Sequence, residues 1–148
     1  MSEILDVLRQ AALFDGLSPQ ELEAIAGLCR PRSFASGEII TTQGEQGDEL
    51  YIVGQGFVEV TLVNPEGGEP RSVVQLGPGQ LVGEMALLDR GPRSATVRAL
   101  TDGALVQAVQ RGAFLELCQS QPHLGYIVMR NMAVDLAFKL RHRMLTGR

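Results

Sequence analysis

The pattern of hydrophobic and polar positions divides the chain into a helical start, a strand-rich middle and a helical end. Near the start, one apolar stripe recurs at helical spacing through Leu22, Ile25, Ala26 and Cys29. The tetrapeptide Ser18-Pro19-Gln20-Glu21 precedes it and forms a capping box with proline at the first helical position. The pattern predicts two helices, from about Glu3 to Leu13 and from Ser18 to Cys29, and a surface on which the stripe packs.

From Pro31 to Gln110 the pattern changes to short runs separated by turns rich in Gly, Asp, Asn and Pro. In one run, Val58, Val60 and Leu62 alternate with polar residues, as in a half-buried strand. The predicted strands are Glu38–Thr41, Leu50–Val53, Phe57–Val63, Arg71–Leu76, Arg93–Ala99 and Ala104–Val109. Such regular short strands indicate a mainly β fold, an antiparallel roll or barrel, between the helical ends.

Helical spacing returns after Arg111, first in a short segment through Cys118 and then in a longer one past Pro122. In the longer segment the apolar residues step by four, through Val128, Met132, Leu136, Leu140 and Met144. Such an amphipathic helix is a permanent cover of the core, a mobile lid or the seam of a homodimer, and the pattern leaves these three open. The segments 1–30, 31–110 and 111–148 are expected to form a single domain, residues 1–148.

Charge and composition narrow the class of protein. The net charge of −4 is spread over both signs, whereas nucleic-acid binding by phosphate contacts favours a basic patch, so we expect no direct nucleic-acid binding. We also expect a cytoplasmic protein without a membrane segment, because no run of 18 apolar residues occurs and the start is unlike a signal peptide. Cys29 and Cys118 lie far apart without a Cys/His cluster, so no metal site is expected.

The segment 82–97, between two predicted strands, has a composition that suits an anion. Gly83 permits close approach of the backbone, and Met85, Ala86 and Leu87 can form one helical turn whose free amides point at a phosphate. We refer to residues 82–97 as the cassette.

The charged residues of the cassette suit the two polar parts of a ribose phosphate. Arg93 can offer a planar donor fork to two phosphate oxygens, and the Ser94 hydroxyl can add a third donor. Glu84, when ionised, can only accept hydrogen bonds, so a sugar hydroxyl is its natural partner. Taken alone, however, Glu84 and Arg93 are better explained as an ordinary ion pair, with the glycines serving only the turns.

The whole string resembles the phosphate-binding cassette of the cyclic nucleotide-binding domain family. In that family a Gly-Glu-(Leu/Met)-Ala-Leu run precedes Pro-Arg-(Ser/Thr/Ala)-Ala-Thr, and here these are Gly83 to Leu87 and Pro92 to Thr96. The segments Leu13–Ser18 and Gly44–Gly56 also resemble the family's entry segment and its glycine-bracketed hairpin. Val82 departs from the phenylalanine that relatives often carry there.

The resemblance implies an antiparallel, jelly-roll-like β-roll with N-terminal helices, a short helix in the cassette and a C-terminal lid helix. It also implies a role for each motif residue. The Glu84 position accepts from the ribose 2′-hydroxyl, the Arg93 position holds the cyclic phosphate, and amides near Met85, Ala86 and Leu87 assist. The last helix closes as a lid over the base. Candidates for the base contact, by position in that helix alone, are Lys139, Leu140, Arg143 and Met144.

Catalysis has little support in the sequence. Ser94 has no histidine within its motif, and the two histidines, His123 and His142, belong to the terminal helical region. Haem sensing would need an axial ligand set that is not recognisable here. We therefore expect no enzyme and no cofactor, only cAMP or cGMP as ligand.

Three functions follow as hypotheses. In the first, the chain is a regulatory sensor whose C-terminal helix moves on binding and is read by an unidentified downstream protein. In the second, it is the N-terminal effector half of a Crp/Fnr-type transcription regulator, with the last helix as a possible homodimer seam. The absence of a helix-turn-helix within the sequence argues against a complete regulator. In the third, it is a degenerate interaction scaffold that binds no nucleotide.

Overall fold

The computed structural model describes residues 2–64 and 66–146, and the side chains of residues 3–64 and 66–142. Four α-helices lie at the two ends of the chain: α1 Ser2–Gln10, α2 Pro19–Ala26, α3 Arg111–Ser120 and α4 Pro122–Thr146. Two 3₁₀ helices cover Ala12–Phe14 and Glu84–Leu87. Within the described residues, no helix is both long and apolar enough to cross a membrane.

Within residues 2–64 and 66–146, eight strands lie between the helical ends. They are β1 Arg30–Phe34, β2 Ile39–Thr41, β3 Glu49–Gln55, β4 Val58–Leu62, β5 Arg71–Leu76, β6 Leu81–Val82, β7 Thr96–Ala99 and β8 Ala104–Gln110. The strands form two four-stranded antiparallel sheets, in the orders β1-β8-β3-β6 and β2-β7-β4-β5. The predicted antiparallel β-roll with flanking helices is therefore confirmed.

Strand β3 is buried on both faces and connects two apolar cores. Tyr51 and Val53 pack inside the roll with residues of β4, β6, β7 and β8. Leu50 and Ile52 point the other way, where they join residues of all four helices. The stripe of α2 predicted from the sequence is buried in this second core, which confirms that it packs against other apolar residues. Because residues of a strand alternate between its faces, β3 links the helices to the interior of the roll.

Several element boundaries differ from the sequence prediction. Strand β1 was not predicted because its residues Arg30-Pro31-Arg32-Ser33-Phe34 show no apolar alternation, and proline is tolerated there on an edge strand. Strand β6 was missed because it has only two residues. Helix α2 ends at Ala26, followed by Gly27 as its C-cap, rather than at Cys29.

The predicted strand Arg93–Ala99 begins only at Thr96. Arg93 instead pairs its backbone with a different segment, which the site geometry explains below. The apolar stripe of α4 also leaves the core, since Leu140 is 61% exposed whereas Val128 and Met132 are buried. Each step of four residues rotates the side chain by about 40° at 3.6 residues per turn, so the stripe turns towards solvent.

The capping box of α2 gives a test of how its N-terminus is stabilised. The Ser18 hydroxyl accepts from the Glu21 amide at 3.1 Å, and the Glu21 carboxylate accepts from the Ser18 amide at 2.8 Å. Ser18→Ala is expected to lower the free energy of unfolding by about 1 kcal/mol, measured by urea denaturation. As the control, Ser72→Ala on exposed β5 should change it by less than about 0.5 kcal/mol. Equal effects of the two substitutions would contradict the capping role.

Candidate functional site

A cavity of about 500 Å³ opens between the roll and α4. The strand side is apolar, with Val60, Leu76 and Val97 among its lining residues. The cassette forms the polar side, and α4 contributes Lys139. Of the residues assigned to ligand binding from the sequence, those that line the cavity are Gly83, Glu84, Met85, Ala86, Arg93 and Ser94.

The 3₁₀ turn Glu84–Leu87 forms one wall of this cavity. Gly83 starts the turn with a φ of 78°, a left-handed conformation that favours glycine. The Ala86 amide donates to the Gly83 carbonyl at 3.0 Å, so in this structure that amide is engaged within the turn. Leu87 is buried in the core and does not line the cavity. Amides at the very start of the turn are thus better placed to face an anion than those further along.

Arg93 is held by contacts to both its backbone and its guanidinium. Its amide donates to the Glu45 carbonyl at 2.8 Å, and its carbonyl accepts from the Gly44 amide at 2.9 Å. Its Nη2 donates to the Glu49 carbonyl at 2.7 Å, and the guanidinium carbon lies 5.6 Å from the centre of the Tyr51 ring. These contacts explain why Arg93 lies outside strand β7.

Two glycines make room for the Arg93 guanidinium. A Cβ atom added at Gly47 would overlap Nε and the guanidinium carbon, and one added at Gly83 would overlap Nη1. Gly47 therefore belongs to the site although its sequence context indicated only a turn. The glycine-bracketed segment Gly44–Gly56 was the available signal, and it also contains Glu49 and Tyr51.

Glu84 forms its ion pair with α4 and not with Arg93. Lys139 Nζ lies 3.6 Å from Glu84 Oε1 and 2.9 Å from Asp135 Oδ2. Burial opposes the charge of Lys139, but the hydrogen bond to Asp135 and the nearby Glu84 carboxylate outweigh burial, so the pKa of Lys139 is raised. Among the described side chains, a Glu84–Arg93 ion pair, which the sequence had left open, is not formed.

The other candidates from α4 are placed differently. Leu140 is exposed and does not line the cavity. Arg143 and Met144 lie outside the residues whose side chains are described. Neither histidine lines the cavity: His123 pairs with Glu21 at 2.7 Å, and His142 stacks on Phe138. Within residues 2–64 and 66–146, no group of three potential metal-ligating side chains occurs.

Comparison with known proteins identifies the family of the chain. The family described as "Cyclic nucleotide-binding domain" matches residues 31–121, which includes the whole cassette and more than half of the chain. The chain belongs to this family. The family is a regulatory, nucleotide-binding one and not a catalytic one, which confirms the expectation of a non-enzymatic domain.

Individual relatives differ in what they regulate. The cyclic AMP receptor protein of Thermus thermophilus is 37% identical over 134 residues, covering 90% of this chain and 59% of that protein. A cyclic nucleotide-gated potassium channel of Mesorhizobium japonicum is 39% identical over 115 residues, covering 78% of this chain and 30% of the channel. The chain therefore spans less than two thirds of the length of either relative.

Solved structures show the same domain as a separable unit. The crystal structure of Thermus thermophilus catabolite activator protein has a TM-score of 0.82 and 36% identity, covering 92% of this chain and 61% of that chain. The N-terminal domain of a transcriptional regulator from Streptomyces coelicolor also has a TM-score of 0.82, with 30% identity, covering 94% of this chain and 95% of that chain. In the second comparison, nearly the full length of both chains is therefore aligned.

Proposed function

We propose that this domain is a sensor that binds cAMP or cGMP in the cavity and passes the binding signal to α4. The observation that carries the proposal is the Arg93 guanidinium, which lines the cavity and is oriented by a neutral carbonyl. Within the described residues, Arg93 has no carboxylate within ion-pairing distance. A cation held in this way keeps donors and charge for an anionic ligand.

The rest of the cavity suits a ribose and a purine. Glu84 lines the cavity beside Arg93 and is an acceptor for a ribose 2′-hydroxyl once Lys139 gives way. The apolar strand side offers contact area for a base. Phosphate and ribose contacts are common to both nucleotides, so we expect weak selectivity, with Ser94 able to reach a guanine amino group.

Coupling to α4 is proposed to act through Lys139. This residue links α4 to Glu84, the same carboxylate that the ribose would engage. Ligand binding would therefore compete with, or rearrange, a contact between the cassette and α4. A ligand shifts a conformational equilibrium only through differential contacts of this kind.

The regulator and scaffold alternatives are tested by different features. Similarity to the Streptomyces coelicolor N-terminal domain supports the effector half of a Crp/Fnr-type regulator. A scaffold that had lost its ligand would not need an unpaired cation in a cavity, so Arg93 favours the binding hypothesis.

Replacing the two charged residues should weaken nucleotide binding unequally. Arg93→Ala is expected to lower affinity by about a hundredfold to a thousandfold, because it leaves a desolvated phosphate without its cation. Glu84→Ala should lower it by about tenfold to a hundredfold, the scale of one charged hydrogen bond. Isothermal titration calorimetry with cAMP measures both, and Arg98→Ala, which removes an exposed arginine paired with Glu59, is the control.

A 2′-deoxy cyclic nucleotide isolates the contribution of Glu84. If Glu84 accepts from the 2′-hydroxyl, then Glu84→Ala should cost much less affinity for the deoxy ligand than for cAMP. Equal losses for the two ligands would refute the hydroxyl assignment. Unchanged cAMP binding by folded Arg93→Ala would refute the cassette as the phosphate site.

The contact between Lys139 and Glu84 predicts that ligand binding changes the protection of α4 amides from hydrogen exchange. Ligand should alter amide hydrogen exchange in the C-terminal half of α4, and Lys139→Met should raise exchange there in the ligand-free protein. Affinity should change by no more than about fivefold, since an exposed ion pair contributes about 0 to 1 kcal/mol. Arg130→Met, an exposed residue of the same helix, is the matched control. Identical exchange of wild-type α4 with and without ligand would contradict the coupling.

We also propose that α4 is the seam of a homodimer. Apart from the residues that pack in the core, α4 exposes large apolar side chains. The exposed fraction is 70% for Phe138 and 57% for Val134. A helix that is apolar on more than one face is typical of a buried helix. Phe138→Glu is expected to shift the protein from dimer to monomer in sedimentation velocity, whereas Val73→Glu on β5 should not. A wild-type monomer at all concentrations would contradict the seam.

A further inference from the structure

We propose that Tyr51 is a positioning residue for Arg93, and that Glu49 and Arg32 in turn fix Tyr51. The consequence for ligand affinity rests on the proposed nucleotide site, but the effect on Arg93 itself does not. None of these three residues lines the cavity, so each would act through Arg93 and not by touching the ligand.

Glu49 contacts its neighbours through two different groups. Its main-chain carbonyl accepts from Arg93 Nη2 at 2.7 Å. Its carboxylate accepts from both terminal nitrogens of Arg32, at 2.9 and 2.8 Å. The same carboxylate accepts from the Tyr51 hydroxyl at 3.1 Å. One residue therefore presents a neutral acceptor to Arg93 and directs its negative charge to Arg32.

This division of roles has an electrostatic consequence for an anion site. A carboxylate paired with Arg93 would neutralise it and compete with a phosphate for its donors. Because two hydrogen bonds from Arg32 hold the Glu49 carboxylate, that carboxylate does not compete with a phosphate for the donors of Arg93. Arg93 is oriented by a carbonyl and by an aromatic ring, and both leave its full charge for the ligand.

Tyr51 contacts both Arg93 and the Glu49 carboxylate. Tyr51 is only 5% exposed. The centre of its ring lies 5.6 Å from the guanidinium carbon of Arg93, and its hydroxyl donates to the Glu49 carboxylate. Burial raises the pKa of Tyr51, and the Glu49 carboxylate raises it further, so the hydroxyl keeps its proton at neutral pH. A cation over an aromatic face is attracted by the ring quadrupole, more strongly where water is excluded.

Glycine backbone also bounds the guanidinium. Gly47 and Gly83 approach so closely that neither could carry a Cβ without moving Arg93. With the Tyr51 ring and the Glu49 carbonyl, these contacts leave the guanidinium little freedom before any ligand arrives. Orientation before binding reduces the ordering cost of association.

The first experiment replaces the ring and follows Arg93 directly. Nitrogen-15 NMR of the ligand-free protein reports rotation about the Arg93 Nε–Cζ bond, and calorimetry with cAMP reports affinity. Tyr51→Leu is expected to accelerate this rotation and lower affinity by about tenfold, whereas Tyr51→Phe, which retains the ring, should change affinity by less than about threefold. Tyr126→Leu, an exposed tyrosine of α4, is the matched control and should change neither.

The second experiment acts at the far end of the network. Arg32→Met releases the Glu49 carboxylate and is expected to lower affinity by about twofold to fivefold, with partial rescue by Arg32→Lys. Arg98→Met removes a comparable exposed arginine–glutamate pair on the other sheet and should have no effect. Because Arg32 is on the surface, this variant keeps the test available even if Tyr51→Leu does not fold.

The outcomes separate this inference from the proposed function. If wild-type protein binds no cyclic nucleotide but Tyr51→Leu still frees Arg93, the positioning role holds and the nucleotide proposal fails. If wild-type protein binds cAMP while folded Tyr51→Leu retains both the wild-type Arg93 rotation and the wild-type affinity, the positioning role is overturned. Equal effects of Arg32→Met and Arg98→Met would likewise overturn the part assigned to Glu49 and Arg32.

Discussion

The site depends on a cation that is fixed in place without being neutralised. Arg93 donates to a main-chain carbonyl, lies over the Tyr51 ring and has its backbone paired with Gly44 and Glu45. A carbonyl orients a guanidinium but leaves its charge, whereas a carboxylate would cancel it. The strands and helices of the domain keep these partners together, because β3 supplies Glu49 and Tyr51 and is itself buried between the two cores.

The cassette and α4 are linked through Glu84, another charged residue of the cavity. Glu84 pairs with Lys139 and Arg93 donates to the Glu49 carbonyl, so the cavity contains a carboxylate and a guanidinium that have different partners. A bound ribose phosphate would engage both at once. The part of α4 that carries Lys139 lies beyond the buried residues Val128 and Met132, and its neighbour Leu136 is partly buried against the same core.

The sequence was sufficient for features that depend on local patterns and insufficient for those that depend on the meeting of distant segments. The Ser18 capping box, the docking stripe of α2 and the roll all follow from local spacing. Strand β1 was hidden because the ladder with β8, rather than apolar alternation, makes Arg30–Phe34 a strand.

The same difference between local patterns and contacts of distant segments holds for the residues of the cavity. Glu84 and Arg93 were found through their motif, but the ion pair of Glu84 with Lys139 joins residues 55 positions apart. Tyr51 lies within the predicted strand Leu50–Val53 and is buried in the core of the roll. Its role under Arg93 depends on where the cassette folds back, which no period in the sequence records. The glycine Gly47 likewise marked a turn, while the guanidinium it accommodates comes from a segment far along the chain.

The central claim is that the cavity binds a ribose phosphate in its cyclic form. The most direct measurement is a calorimetric titration of the wild-type protein with cAMP, cGMP and acyclic 5′-AMP under the same buffer conditions. We expect cAMP and cGMP each to show saturable binding of one molecule per chain, and 5′-AMP to bind more weakly than either. Absence of saturable binding by either cyclic nucleotide to the folded protein would contradict it.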